Sequence, residues 1–137
     1  MTRVALVVED DPSLQDEMVK HLTQAGFAVL TAFDFSGAVR HLTHSHLHVA
    51  CIDLGLPSES GYELCEHIRG RLELPHLPIL VTSERGFPED MAHAEEAGAN
   101  AYLKKPFAMK KLLVYVSALL DGPPTSRPNV RTLRLSY

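Results

Sequence analysis

The fold is decided by the stretch from residue 49 to residue 57, which reads VACIDLGLP. A short apolar run with β-branched residues, bounded by turn residues, is typical of a strand buried in a parallel sheet. Asp53 would then lie where this strand leaves the sheet, and Gly55 and Pro57 favour a turn after it. Open parallel sheets bind ligands outside the carboxyl ends of their strands. Asp53 is therefore a candidate site residue, although a single aspartate at such a position is more often a cap or turn residue.

Strand-like and helix-like segments alternate along most of the chain. The predicted strands are residues 4–8, 27–32, 49–53, 78–83 and 101–103. The predicted helices begin at Pro12, after a cap at Asp34 or Ser36, after a cap between Ser58 and Ser60, at Glu89 and at Met109. This alternation with short connections predicts an α/β fold, a doubly wound five-stranded parallel sheet with helices on both faces. The first strand shares acidic chemistry with the third, which favours the flavodoxin-like strand order 2-1-3-4-5.

The composition is typical of one ordinary globular domain, with 45% hydrophobic and 22% charged residues in a chain of 137. A net charge of -4 gives no electrostatic reason to expect nucleic-acid or membrane binding. No apolar run reaches the roughly 18 residues of a membrane helix, and no signal peptide precedes the first strand. The two cysteines, Cys51 and Cys65, are too few for a disulfide framework. We therefore expect a cytoplasmic protein with reduced thiols.

Acidic, hydroxyl and basic residues stand at the ends of the predicted strands. Glu9 and Asp10 follow the first strand, Asp53 ends the third, Thr82 lies near the end of the fourth, and Lys105 follows the fifth. Neighbouring carboxylates stay ionised when a cation lies between them, and all-oxygen ligation of this kind suits Mg2+. An ammonium and Mg2+ together neutralise phosphoryl oxygens, while a carboxylate can attack phosphorus. Each residue alone has a simpler explanation, but their joint placement favours a phosphoryl site.

Several motifs resemble those of the two-component response-regulator receiver domain. They are VVEDD at residues 7–11, DLGLP at residues 53–57 followed by Gly61, TSE at residues 82–84, AGA at residues 97–99 with Tyr102, and KPF at residues 105–107. Their order and spacing make the resemblance specific, and it covers the chain from Arg3 to about Leu120. The fold known for that family is the one that the alternation predicts.

The resemblance implies a role for each residue of the acidic site. Asp53 would be the phosphoacceptor, and Lys105 would contact the phosphoryl group. Mg2+ would be held by Glu9, Asp10, Asp53 and the backbone carbonyl of Gly55. The phosphodonor would be a sensor histidine kinase. The chain would then be a self-phosphorylating and self-dephosphorylating receiver rather than an enzyme.

The resemblance also implies a switch. Thr82 and Tyr102 would be a coupled pair, in which Thr82 moves toward the phosphoryl group and Tyr102 turns inward to fill the space it leaves. The surface formed by the fourth helix, the fifth strand and the fifth helix would change as a result. A cis peptide bond before Pro106 follows from the resemblance alone.

The sequence leaves more than one interpretation of what such a receiver controls. Residues 1–121 are expected to form the receiver, and residues 122–137 a linker or the start of a truncated C-terminal output domain. Transcription regulation through a DNA-binding domain beyond this sequence is the leading interpretation, and a stand-alone receiver that controls a partner protein or relays phosphate is the alternative. A Mg2+-dependent aspartyl-phosphate hydrolase is disfavoured, because Gly55 stands where that chemistry needs a carboxylate. A flavodoxin is disfavoured because no hydroxyl- and glycine-rich phosphate loop follows the first strand.

A homodimer through the fourth helix, the fifth strand and the fifth helix is a further expectation. Asp90 fits an acidic position among the contacts that related receivers use there. Asn100, however, stands where an aspartate is common, and Tyr115 and Ser117 stand where arginines are common. We therefore expect a dimer on this face to be weaker and less salt-sensitive than one made by charged pairs, with Tyr115 among its contacts.

Histidines crowd the end of the predicted second helix and the loop after it: His41, His44, His46 and His48. Imidazoles ligate metals, but a structural site needs fixed geometry and a closed set of ligands. Incidental surface histidines are the favoured interpretation, and a metal site is the alternative.

Overall fold

The computed structural model describes residues 2–121, which form one sheet flanked by helices. The strands are β1 (Val4–Val8), β2 (Ala28–Ala32), β3 (Val49–Asp53), β4 (Ile79–Ser83) and β5 (Ala101–Lys104). The helices are α1 (Pro12–Gln24), α2 (Phe35–His44), α3 (Gly61–Gly70), α4 (Pro88–Ala97) and α5 (Met109–Asp121). All strand pairs are parallel in the order β2-β1-β3-β4-β5, which confirms the predicted fold and strand order. The predicted linker, residues 122–137, lies outside the described residues.

Two hydrophobic cores lie on opposite faces of the sheet. On one face, α1 and α5 pack around Leu22 and Leu112. On the other face, α2, α3 and α4 pack around Ile68 and Met91. Every residue of β3 and β4 is buried, because helices cover both faces. This explains why both strands are continuous apolar runs in the sequence. No helix within residues 2–121 is long and apolar enough to cross a membrane.

Side-chain caps set the starts of three helices. Asp11 accepts from the Ser13 amide at α1, Asp34 from the Gly37 amide at α2, and Ser60 from the Glu63 amide at α3. Asp34 rather than Ser36 therefore caps α2, and Ser60 is the cap within the interval predicted for α3. Gly98 ends α4 with φ of 113°, in the left-handed region that glycine adopts at helix ends.

Three elements, β2, β4 and α4, begin one residue away from the predicted position. β2 begins at Ala28 and β4 at Ile79, each one residue later than predicted. Pro78 has no N–H to donate to a neighbouring strand, so β4 starts after it. α4 begins at Pro88, since a proline at the first helical position costs no hydrogen bond.

Candidate functional site

The carboxyl ends of the central strands surround a cavity of about 460 Å³. It is lined by the residues that the resemblance assigned to metal binding and phosphoryl contact, Glu9, Asp10, Asp53, Gly55 and Lys105. Larger grooves of about 730 and 550 Å³ lie elsewhere, and each is lined by a single carboxylate. A groove of about 540 Å³ beside the cavity is lined by Lys105 and by acidic residues, but not by Glu9, Asp10 or Asp53. The smaller cavity is therefore the one that brings reactive groups together.

Strand pairing assembles the acidic residues of the cavity. Val8 of β1 pairs with Ile52 of β3, so the next residues along each strand, Glu9 and Asp53, are neighbours. Ligand oxygens of Glu9, Asp10 and Asp53 all lie within 4.8 Å of one another. Glu9 and Asp53 are buried and Asp10 is exposed, so the group is open on one side. Oxygen ligands in this arrangement are compatible with binding of a divalent metal ion.

Glu9 supplies the clearest sign that these residues fit a cation. Its Oε2 accepts from the Asp11 amide at 3.0 Å. Its Oε1 is buried and accepts no hydrogen bond of good geometry from the described residues, although the Lys105 ammonium lies 2.9 Å away. A buried carboxylate oxygen whose only partner is this ammonium is suited to act as a metal ligand. Within residues 2–121, the acidic trio is the only group of three potential ligands close enough to share an ion.

Lys105 closes the site from the β5 side. Its Nζ lies 2.9 Å from Glu9 Oε1 and 3.4 Å from Asp53 Oδ1. Its backbone is held by a hydrogen bond to the Ser83 carbonyl at 2.7 Å, and the following bond to Pro106 is cis, as the resemblance implied. The ammonium is therefore positioned by the chain itself to neutralise charge at Asp53.

The charges in the site shift one another's pKa values. Burial, together with the Asp53 charge, raises the pKa of Glu9 to about 7, although Lys105 and the Asp11 amide act against the shift. Burial alone would lower the pKa of Lys105, but its contacts with Glu9 and Asp53 outweigh burial and raise it. Lys105 is therefore charged at neutral pH, while Glu9 sits near its titration point when no metal ion is bound.

The raised pKa of Glu9 predicts a pH-dependent stability in the absence of metal. A folded-state pKa above the ordinary value of 4.5 means that the folded chain binds more protons between about pH 4.5 and 7. The free energy of unfolding in EDTA should therefore fall as the pH rises through this window. Urea denaturation at several pH values measures it, and Glu9→Gln should flatten this part of the profile. An unchanged profile in Glu9→Gln would assign the pH dependence to other groups.

The positions of Thr82 and Tyr102 differ from those expected of a coupled switch pair. Thr82 pairs with Asp53 across β3 and β4 and is 1% exposed, but it does not line the cavity. Leu80 and Val81 pack into opposite cores, so alternation places Thr82 on the α1–α5 face, whereas Tyr102 packs in the other core. Tyr102 already lies inward, with its hydroxyl donating to the Arg85 carbonyl at 2.7 Å. Coupling of the pair stays a prediction.

Arg85 and Asp90 line or flank the site and were not predicted there. Arg85 lines the cavity, and its Nε donates to Asp90 Oδ1 at 2.9 Å. Asp90 is buried, and its Oδ2 accepts from the Phe87 amide at 3.2 Å. The pair connects the cavity to the start of α4. The acidic residue at the third position of a helix was the only signal in the sequence for this arrangement.

Two further residues support the walls of the site. Gln15 is buried, and its side-chain amide donates to the carbonyls of Glu9 and Ala32, each at 3.1 Å. It therefore fixes the β1–α1 turn against β2. Tyr62 lines the cavity and stacks on His93 of α4, with ring centroids 3.8 Å apart. Helical spacing of Gln15 with Met18 and Leu22 could have indicated its inward position.

The expected dimer contacts are partly wrong. Tyr115 is 1% exposed and packs in the core under α5, so it is not a surface contact. Asp90 is also buried and is paired with Arg85, so it presents no free acid on α4. Asn100 accepts from the Ile79 amide and from Arg69, which is a structural role. Ser117 is exposed and donates to Asp121 within α5.

The histidines have separate roles in the structure. His41 contacts the Thr31 carbonyl at 2.9 Å, and His48 Nδ1 accepts from the Val4 amide at 2.9 Å. His46 packs edge-on against His48. His44 and His46 are exposed, whereas His41 and His48 are partly buried and contact the backbone, so these two are not simply surface residues. No three of these histidines, all within residues 2–121, lie close enough to share an ion.

The chain belongs to the response regulator receiver domain family, which matches residues 5–117. The sheet order, the acidic cavity and the lysine after β5 are what the resemblance implied. Receiver domains of this family are components of two-component systems, in which they interact with sensor histidine kinases.

Similar proteins include transcription regulators and a chemotaxis protein. The phosphate regulon transcriptional regulatory protein PhoB of Escherichia coli is 31% identical over 120 residues, which are 88% of this chain and 52% of PhoB. The transcriptional regulatory protein GltR of Pseudomonas aeruginosa is 32% identical over 86% of this chain and 49% of GltR. The chain thus spans about half the length of these relatives. The chemotaxis response regulator CheY4 of Vibrio cholerae has a TM-score of 0.83 at 27% identity, covering 88% of this chain and 100% of CheY4.

Proposed function

We propose that the chain accepts a phosphoryl group from a sensor histidine kinase on Asp53, with Mg2+, and that this changes a surface read by an output partner. The observation that carries the proposal is a group of three carboxylates whose oxygens lie within 4.8 Å of one another at the carboxyl end of the sheet. Two of them, Glu9 and Asp53, also contact the Lys105 ammonium. A metal ion and an ammonium near a carboxylate would together neutralise the charge of a phosphoryl group transferred to it.

The proposed chemistry follows from the environment of Asp53. Its Oδ1 accepts from the Gly55 amide at 3.0 Å and faces Lys105, which leaves Oδ2 as the attacking oxygen. The bond from Asp53 to phosphorus forms as the bond from phosphorus to the donor imidazole breaks, which gives an acyl phosphate and a neutral histidine on the kinase. A divalent ion held by Glu9, Asp10, Asp53 and the Gly55 carbonyl would neutralise the phosphoryl oxygens. The Lys105 ammonium would also neutralise this charge.

The output that we propose is transcription regulation, because PhoB and GltR, the relatives described above, are transcription regulators. Binding to DNA would then require a domain beyond residues 2–121. A second output class is control of a partner protein by a stand-alone receiver, for which the likeness to the chemotaxis response regulator CheY4 is the support. Sequencing the gene downstream of Tyr137 separates the two, since a basic helical domain in frame supports transcription regulation. A homodimer through α4, β5 and α5 stays part of the proposal, without Tyr115 as a contact.

Incubation with acetyl phosphate and Mg2+ tests the proposed function. Intact-mass measurement should show one added phosphoryl group, which is lost in hydroxylamine because acyl phosphates are labile. Asp53→Asn should abolish the addition, since an amide is a poor nucleophile. Asp11→Asn is the matched control, because Asp11 caps α1 and should leave labelling intact. Undiminished labelling of Asp53→Asn would remove Asp53 as the acceptor.

Substitutions of the neighbouring residues Asp10 and Asp11 should have different effects on Mg2+ affinity. Asp10 belongs to the acidic trio, whereas Asp11 accepts from the Ser13 amide at the start of α1. Asp10→Asn should weaken Mg2+ binding by about tenfold or more, as expected for loss of a ligand. Asp11→Asn should leave Mg2+ affinity nearly unchanged. Isothermal titration calorimetry measures both, and equal losses would indicate a general acidic patch instead of a defined site.

A further inference from the structure

Arg85 lies between the cavity and the first turn of α4. Its amide donates to Ser83 Oγ at 3.1 Å, and its carbonyl accepts from the Tyr102 hydroxyl at 2.7 Å. Its side chain lines the cavity and is 66% exposed. The backbone of Arg85 is therefore held on both sides of its Cα. Its guanidinium is largely exposed and lies over the Phe87 ring, 5.8 Å from the ring centroid.

The present partner of the guanidinium is Asp90. Arg85 Nε donates to Asp90 Oδ1 at 2.9 Å, and Asp90 Oδ2 accepts from the Phe87 amide at 3.2 Å. Phe87 is the N-cap of α4 and has no side-chain oxygen, so Asp90 is the side chain that satisfies an amide at the start of this helix. Because Asp90 is buried, its charge depends on Arg85 for compensation.

Arg85 has donors left for an anion in the cavity. Its Nε is used by Asp90, and its two terminal nitrogens donate to no acceptor among the described residues. The guanidinium fork matches the spacing of phosphate oxygens, which it binds in a bidentate manner. Arg85 and Lys105 are the two cationic residues that line the cavity. Lys105 already contacts Glu9 and Asp53, whereas Arg85 contacts neither of these carboxylates in the described residues.

We propose that Arg85 is a second cationic contact of the phosphoryl group on Asp53, and that it reaches this group by exchanging Asp90 for it. This inference rests on the function proposed above. A pair whose arginine is largely exposed is weak, and a phosphoryl group offers more charge and more acceptor oxygens than a carboxylate. The exchange is favourable where these phosphoryl contacts outweigh the lost compensation of the buried Asp90 charge. It leaves Asp90 without its cation, which loosens the first turn of α4 and changes the surface that this helix presents.

The test measures the affinity of the chain for beryllofluoride, a mimic of the phosphoryl group, in the presence of Mg2+ by NMR titration. Arg85→Gln should weaken binding about tenfold, the effect expected for a charge-assisted hydrogen bond, and should abolish the shift changes of the α4 amides. Asp90→Asn should strengthen binding, because it removes the competitor for Arg85. Arg85→Lys should restore part of the affinity, since it keeps the charge but loses the fork. Arg71→Gln, which removes an exposed cation at the far end of α3, should change nothing.

If Arg85 and Asp90 formed only a structural ion pair, Arg85→Gln and Asp90→Asn would not change beryllofluoride affinity in opposite directions. Beryllofluoride affinity of Arg85→Gln equal to that of the unsubstituted chain would overturn the phosphoryl contact. Equal weakening in Arg85→Gln and Asp90→Asn would overturn the exchange. Failure of the unsubstituted chain to bind beryllofluoride with Mg2+ is a different outcome, which would overturn the proposed function and the contact with it.

Discussion

Gly61→Ala is expected to lower the free energy of unfolding by about 2–3 kcal/mol, at the upper end of the usual cost of overpacking. The first residue of α3 lies against the backbone of the loop that leaves β3, and its amide donates to the Leu54 carbonyl at 3.1 Å. A Cβ at this position would collide with the Asp53 carbonyl oxygen and would lie 2.7 Å from Leu54 Cα. Backbone atoms cannot give way as a flexible side chain can, so β3 or α3 must shift.

Gly70→Ala is the matched control for this prediction. Gly70 ends the same helix, and a Cβ there would meet nothing within 4 Å. Alanine should stabilise the chain by about 0.5–1 kcal/mol, because it reduces the conformational freedom of the unfolded state. Urea denaturation measures both variants. Equal effects of the two substitutions would show that the loop does not approach Gly61 as closely as described.

Lys105→Met is expected to lower the free energy of unfolding in metal-free solution by about 3 kcal/mol, the usual cost of removing one partner of a buried ion pair. The substitution leaves Glu9 and Asp53 without the ammonium that lies between them. Mg2+ affinity should rise in the same variant, because a competing cation has been removed. Labelling by acetyl phosphate should slow, since Lys105 no longer neutralises the phosphoryl oxygens.

Lys104→Met is the control for Lys105. The side chain of Lys104 is exposed, and its Nζ donates to the Lys105 carbonyl at 3.3 Å, outside the site. It should leave stability, Mg2+ affinity and labelling nearly unchanged. Denaturation in EDTA and calorimetric titration compare the two variants. If Mg2+ affinity fell in Lys105→Met, the lysine would be supporting the metal site instead of competing with it.

The sequence contained enough information for the fold and for the acidic site. Buried parallel strands are continuous apolar runs, and the chemistry after each run could be placed at one edge of the sheet. Glu9, Asp10, Asp53 and Lys105 are brought together there because they directly follow or end strands. Their positions are determined mainly by the order of the strands, and the packing of individual side chains has little influence on them.

Other features depended on packing that a linear pattern shows poorly. Arg85 and Asp90 meet across an irregular loop, so neither strand nor helix periodicity relates them. Tyr115 shows a different error. It lies with Leu112 and Leu119 on the inward face of α5, at helical spacing, so its burial could have been predicted. The prediction of a surface residue came from the positions that related receivers use, which this helical pattern contradicts.

The central claim is that Asp53 receives the phosphoryl group, and locating that group tests it most directly. Borohydride reduces an aspartyl phosphate to homoserine, which is stable to digestion. Trypsin then separates residues 41–69, whose single aspartate is Asp53, from residues 4–20, which contain Glu9, Asp10 and Asp11. After treatment with acetyl phosphate, we predict homoserine at position 53 when Mg2+ is present and none when EDTA replaces it. Homoserine within residues 4–20, or at position 53 regardless of Mg2+, would contradict the proposed role of Asp53.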